Sequence, residues 1–346
     1  LENISNKDKS YTFKTRKIKE ISYSAKKDSN NYDIFGIINY YDDKGNLKLG
    51  ANIKVSLNSG NETLKSTITD ENGKWSILLP KKDFNNKNLE VIFQFENKYW
   101  DITDGDKNYV WKVQEIKGLT SDIDTGVITP IKDSESAKVA FIHDIYNRYM
   151  KFFKKENVEY ESWWKKINTV WPGSSNYYSS GTVNLTDADH WDVNGHEIGH
   201  AMTAIGTNSQ MGGGQHKIDE CYTESLAWSE GFASFLSGVV SLEKNDNDAK
   251  FEFLVPRRAP IRLENIPENV CKEITNEWRV STAMWDIYDT NIDGKDSASI
   301  PFKTIFSALG NKNKKVKSIK DAFSYIKELV DENAKKQIDS VFEQNF

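Results

Sequence analysis

The stretch Asp189-His-Trp-Asp-Val-Asn-Gly-His-Glu-Ile-Gly-His200 places two histidines, His196 and His200, four residues apart. On a helix that is about one turn, so both imidazoles project from one face and can grip a single zinc ion. Glu197 cannot share their direction, yet it falls close enough to the ion's open position to take a proton from water, as peptide hydrolysis requires. It is the candidate general base. The competing reading is a surface helix with two solvated histidines. The chain holds only five histidines, and what lies downstream favours the metal.

A hydrolytic zinc site usually takes three protein ligands and leaves the fourth position open, and His/His/Glu is a common set. Three acidic candidates follow: Glu220 and Glu224, which share a helical face, and Glu230, which points elsewhere. They compete rather than cooperate.

HEIGH at 196–200, followed by WSEGFASF at 228–235, resembles the gluzincin metallopeptidases, in which a second helix supplies the glutamate ligand. NEWRVSTAMWDIYD at 276–289 is similar to the segment that follows in fungalysin-type members. The resemblance covers about residues 185–290. It implies zinc held by His196, His200 and Glu230, Glu197 as base, and a strand within 181–186 beside an extended substrate. Ser234 stands where thermolysin-type relatives carry an aspartate that buttresses a ligand histidine, so Ser234, Glu224 and Asp219 compete for that role.

At 346 residues the chain has room for two cores. Basic and acidic side chains, 46 and 51, are mixed along it, giving a net charge of −5 with no basic field for nucleic acid. No run of eighteen apolar residues exists to span a membrane. Leu1 is no initiator methionine, which implies a processed or trimmed form whose targeting signal left with the missing part, and hence a secreted or cell-surface protein. Cys221 and Cys271 either form one disulfide or stay as thiols.

Residues 1–30, with alternation around Tyr11, Phe13 and Thr15, read as a leader or loosely attached strand. From 31 to 129, short period-two runs such as Ile53-Val55-Leu57, Trp75-Ile77-Leu79 and Leu89-Val91-Phe93 predict an all-β sandwich. Turn chemistry at Asp43–Asn46, Asn58–Asn61 and Asp70–Gly73 separates them. The segments GANIKV at 50–55 and TDENGKWS at 69–76 are similar to carboxypeptidase-regulatory or transthyretin-like β-sandwich domains, which implies attachment, positioning or stabilisation. Trp100 and Trp111 either pack or form a carbohydrate-binding platform at a cell surface.

After Thr129-Pro130, residues 130–346 predict a mainly helical α+β peptidase domain, so the chain is multidomain. Val139, Ile142, Tyr146, Tyr149 and Phe153 form the first helical stripe, and His143 beside them reads as a core residue. Gly195 and Gly199 in the zinc helix predict close approach by another element. The loop 207–217 reads as a connector or a flap. Asp289, Asn291 and Asp293 match the opening of a calcium loop, although Ile300 occupies its twelfth position. Tyr288 is put forward to stabilise the oxyanion, with Arg279, His216 and Tyr222 as alternatives.

Together these features predict a zinc endopeptidase acting on proteins or peptides. The alternatives are a zinc aminopeptidase, or a binding or adhesion protein whose structural zinc gains a fourth ligand from His190 or His216.

Overall fold

The computed structural model describes residues 28–292, 294 and 297–346. The alternation at Tyr11, Phe13 and Thr15 lies outside them, as does Asp293 of the expected calcium loop. A β-rich region is followed by a helical one. In order come β1 (Asn31–Tyr41), β2 (Leu47–Leu49), β3 (Lys54–Ser59), β4 (Glu62–Ile68), β5 (Lys74–Pro80), α1 (Lys81–Phe84), β6 (Leu89–Gln94), β7 (Trp100–Thr103), β8 (Val110–Ile116) and β9 (Ile123–Ile128). Next are α2 (Glu135–Lys155), β10 (Ile167–Val170), β11 (Tyr177–Ser179), β12 (Thr182–Asn184), α3 (Trp191–Gly206) and α4 (Glu224–Ser241). The described elements end with β13 (Lys250–Phe251), β14 (Ile261–Arg262), α5 (Glu277–Asp286), α6 (Phe302–Leu309), α7 (Ile319–Lys327) and α8 (Glu332–Asn345).

The chain divides into two compact units. The first runs to Asn147 and takes in Asn168–Gly173; the second comprises Arg148–Ile167 and Ser174–Phe346. The helix that follows Thr129-Pro130 thus contributes its first part to the β-rich unit.

In the first unit, β1 pairs antiparallel with β2 and β5 and parallel with β9, while β4, β3, β6 and β8 form a second sheet in that order. The period-two residues point inward as expected: Val55, Leu57, Trp75, Ile77, Leu79, Val91 and Phe93 are all buried. Trp75 and Phe93 bring the sheets into one core, with ring centroids 5.9 Å apart. Asp42 fixes the first turn by accepting the N–H groups of Lys44 and Asn46 at 3.0 and 2.7 Å, and Asp70 repeats the device with Asn72 and Lys74.

Trp100 and Trp111 are buried in this core, so neither ring offers a carbohydrate platform. Period-two spacing shows that a residue has a face; it does not say which face meets solvent. Trp100 stacks on Tyr146 at 5.0 Å and donates from Nε1 to His143 Nδ1, whose Nε2 lies 2.8 Å from the Ala51 carbonyl. A carbonyl only accepts, so His143 carries its proton on Nε2 and is a satisfied core residue.

In the second unit, α3 and α4 pack through small residues. A Cβ at Gly195 would strike the Ser237 side chain, and one at Gly199 would come within 2.7 Å of the Ala233 carbonyl oxygen. This is the close approach that the glycines predict. The same relation recurs between α4 and α5, where a Cβ at Gly231 would meet Val280 at 2.6 Å and the Glu277 carbonyl oxygen at 2.7 Å. Side-chain caps start α4, α5 and α7: Thr223 accepts from Leu226 N, Asn276 from Arg279 N, and Ser318 from Asp321 N. Leu329 is 55 % exposed because α7 stops at Lys327, and Phe323 fills the core.

Cys221 and Cys271 form a disulfide, with Cα atoms 5.8 Å apart. Around it Tyr222 N donates to Thr275 O, and the Asn276 amide donates to Ile218 O and Glu220 O. The approach to α4 is thereby tied to the approach to α5. None of the described helices is long and apolar enough to cross a membrane.

Candidate metal centre

The α3–α4 seam decides what meets what. With glycines facing Ser237 and Ala233, the helices come close enough for Glu230 of α4 to reach both histidines of α3. His196 Nε2 and His200 Nε2 lie 3.1 Å apart, and Glu230 Oε2 is 3.1 and 3.0 Å from them. All three residues are buried, at 7–8 % exposure. Glu197 offers an oxygen within 4.8 Å of the two imidazoles.

This triangle fits a metal ion. Two neutral imidazoles bring one N–H each, and His196 Nδ1 already faces Ser234 Oγ at 3.0 Å. Lone pairs are thus left facing one another at hydrogen-bond distance. A cation slightly off the plane of a triangle with sides near 3.1 Å lies roughly 2.0–2.1 Å from every corner, an ordinary distance for nitrogen and oxygen ligands.

Of Ser234, Glu224 and Asp219, it is Ser234 that meets a histidine of the triangle. Glu224 is exposed in the first turn of α4, and Asp219 accepts from Arg257 at 3.1 Å. Glu220, the other acidic candidate, is bonded to Lys217 and Tyr222. Of the three acidic candidates, the fold brings only Glu230 to the histidines.

A cleft of about 920 Å³ opens over the triangle. It is lined by Asn176–Ser180, His190, Val193 and Phe253–Pro256. Met211–Gly214 and His216 complete it, so the loop 207–217 borders the site. The lining strand is β11, which pairs antiparallel with β12 at Tyr177↔Asn184 and Ser179↔Thr182. The expected 181–186 strand stands behind it.

Burial pushes the Glu197 carboxyl up to about 7, against the pull of His196 and with a further push from Glu230. For Glu230 burial acts upward too, but His200 and His196 outweigh it and hold the carboxyl far below the usual range. Glu277, which sequence reasoning missed, lies beside this pair. Its Oε2 is 3.2 Å from His216 Nε2, which is 3.8 Å from Glu230 Oε2. Burial raises Glu277 to about 8, with His216 opposing. The acidic residue of the NEW stretch at 276–278 was the available signal, and only the α4–α5 approach at Gly231 gives it a partner.

Tyr288 does not line this cleft. It is 5 % exposed among Phe152, Phe235, Trp285 and Phe302, with Lys244 Nζ 4.6 Å from its ring centre, so it belongs to the aromatic core of the unit. Arg279 is likewise structural, donating to the carbonyls of Cys271, Asn345 and Val270. Tyr222 is bonded to Lys217 N and Glu220. Among the four candidates for oxyanion stabilisation, His216 is the one whose ring borders the cleft. At the expected calcium loop, Asn291 N donates to Asp289 Oδ2 and the Asn291 amide to Glu264, while Asp293 lies outside the described residues.

No family model and no curated protein matches this chain. Two solved structures are similar in part. One, a candidate carbohydrate-binding protein from Pseudomonas aeruginosa, shows 13% identity over 29% of this chain and 88% of its own, with a TM-score of 0.19. The other, a 9R-lipoxygenase from Cyanothece, shows 15% identity over 45% of this chain and 27% of its own, with a TM-score of 0.20. At such TM-scores neither likeness carries an argument about fold or function.

Proposed function

We propose that the protein is a secreted zinc endopeptidase of gluzincin type, with the β-rich unit as an accessory module. The observation that carries this reading is the 3.0–3.1 Å triangle of His196, His200 and Glu230, with Glu197 beside it on the floor of an open cleft. Two imidazoles and one carboxylate suit zinc in a three-ligand site that leaves a position for chemistry. When bound, zinc supplies Lewis acidity toward a peptide carbonyl and lowers the pKa of attacking water.

The chain's own residues do the rest. Glu197 takes the proton of the attacking water and returns it to the leaving amine. Ser234 holds the His196 ring in its ligating orientation. His216, held at Nδ1 by the Gly214 carbonyl and at Nε2 by Glu277, would donate to the developing oxyanion on releasing Glu277. The Cys221–Cys271 disulfide supports an oxidising compartment.

A purely structural zinc needs a fourth protein ligand; the one near the triangle is His216, whose Nε2 lies 3.8 Å from Glu230 Oε2. His190 lies flat on Phe253, with centroids 4.6 Å apart, and His216 is bonded to the Gly214 carbonyl and Glu277. The deciding experiment measures zinc content and cleavage of an unfolded protein by the wild type and by Glu197→Gln. One equivalent of zinc in both, with cleavage by the wild type alone, is expected. Equal cleavage by both would remove Glu197 from its role.

A further inference from the structure

His216 and Glu277 stand outside the triangle, and their chemistry repeats it. His216 Nδ1 lies 2.9 Å from the Gly214 carbonyl oxygen. A carbonyl only accepts, so this nitrogen carries a proton and the neutral ring presents a lone pair at Nε2. That lone pair meets two further acceptors, Glu277 Oε2 at 3.2 Å and Glu230 Oε2 at 3.8 Å. One ligand atom from each of the three residues falls within 4.8 Å of the other two. A ligating imidazole commonly donates its second N–H to a carbonyl, which fixes its tautomer and ring direction. His196 is met at Nδ1 by Ser234 in the same sense.

Contacts outside the cluster set these side chains in place. Glu277 is the first residue of α5, whose close approach to α4 at Gly231 puts it beside Glu230. The Asn276 amide, one residue earlier, donates to the carbonyls of Ile218 and Glu220 at 2.9 and 2.8 Å, and the Cys221–Cys271 disulfide ties the same two segments. The segment carrying His216 is thereby fixed to the helix start carrying Glu277, and neither side chain is spent on the connection. Among the described residues lining the cleft there is no Lys or Arg, so no side-chain cation of the wall competes for the three acceptors.

We propose that His216, Glu277 and Glu230 hold a second divalent metal ion, with Glu230 bridging it to the ion of the triangle. One imidazole with two carboxylates suits zinc, cobalt or manganese. Donors about 2.1 Å from one ion stand roughly 3–4 Å from each other, which the separations at His216 match. A shared carboxylate sets two ions roughly 3.5–4 Å apart, the spacing of two-metal centres. Filling the second position turns His216 from a hydrogen-bond donor into a ligand. The second site requires the triangle to be a metal site and is independent of the peptidase reading.

The test titrates the metal-stripped full chain with cobalt(II), following bound metal by equilibrium dialysis and spin coupling by electron paramagnetic resonance. The wild type should take two equivalents, and the resonance signal per cobalt should fall by about half or more as the second enters. His216→Ala and Glu277→Gln should each take one equivalent, held with the affinity of the first wild-type ion. A single equivalent in the wild type overturns the proposal and leaves a proton on His216 Nε2. The same single ion weakened by about tenfold or more in His216→Ala makes His216 a fourth ligand of the first site, which overturns it equally. Two ions with additive signals overturn the bridge, and two that persist in both variants overturn the ligand set. The wild-type measurements decide even where a variant fails to fold. Two coupled ions without cleavage of any protein substrate would sink the peptidase reading and support the second site.

Discussion

The two units differ in one buried cluster. In the β-rich unit each buried carboxylate is met by donors: Asp33 by the Ser76 hydroxyl at 2.6 Å, and Asp42 by the Lys44 and Asn46 amides with Lys48 at 3.1 Å. In the helical unit Asp192 is met by backbone donors in the same way, but at the metal centre the buried groups face each other, with two imidazole nitrogens and a carboxylate oxygen mutually within 3.1 Å and the carboxylates of Glu197 and Glu277 close by. An internally satisfied polar group stabilises its own fold. A convergence of acceptors stabilises the fold only when a cation joins it.

Removing a corner of the triangle should break the contrast most severely. Glu230→Ala is expected to abolish stoichiometric zinc binding and all cleavage, as read by metal analysis and a protease assay. Glu197→Gln should retain zinc but lose about 10²–10⁴-fold in kcat. Withdrawing zinc from the wild type should weaken the helical unit by about 4 kcal/mol where zinc had been present at about a thousand times its dissociation constant. Hydrogen exchange should locate that loss in α3–α5 and spare β1–β6.

The smallest effect lies in the β-rich unit. Burial works to raise the Asp42 carboxyl, but the Asn46 amide, the Asn46 side chain and Lys48 outweigh it and hold the group below its usual 3.8. A lowered folded-state pKa contributes stability that is present above about 3.8 and lost as pH falls through the folded value. Asp42→Asn should therefore cost about 1 kcal/mol near neutrality and flatten the acid limb, measured by urea midpoints between pH 2 and 6. Cleavage should be unaffected.

Local chemistry was legible in the sequence wherever neighbours along the chain decide it. The turns at Asp43–Asn46 and Asp70–Gly73 and the i, i+4 histidines are all of this kind, and even the two glycines of α3 announced a close neighbour. Which neighbour it would be depended on topology. The His216–Glu277 contact and the pairing of Cys221 with Cys271 join segments far apart in sequence, and no spacing rule reaches them. Tyr288 shows a different failure: an aromatic on a helical stripe looks the same whether it points into a cleft or into a core.

The strand segment Asn168–Gly173 belongs to the first unit although the chain has by then passed through Arg148–Ile167 of the second. Thr169 O accepts from Thr103, Thr169 Oγ1 lies 2.6 Å from the Tyr146 hydroxyl, and Trp171 O accepts from Tyr109. No single cut can separate the units intact: a fragment ending at Asn147 leaves those hydroxyls without their partners, and its complement carries an orphaned strand. The two units therefore have to be made as one continuous piece of chain.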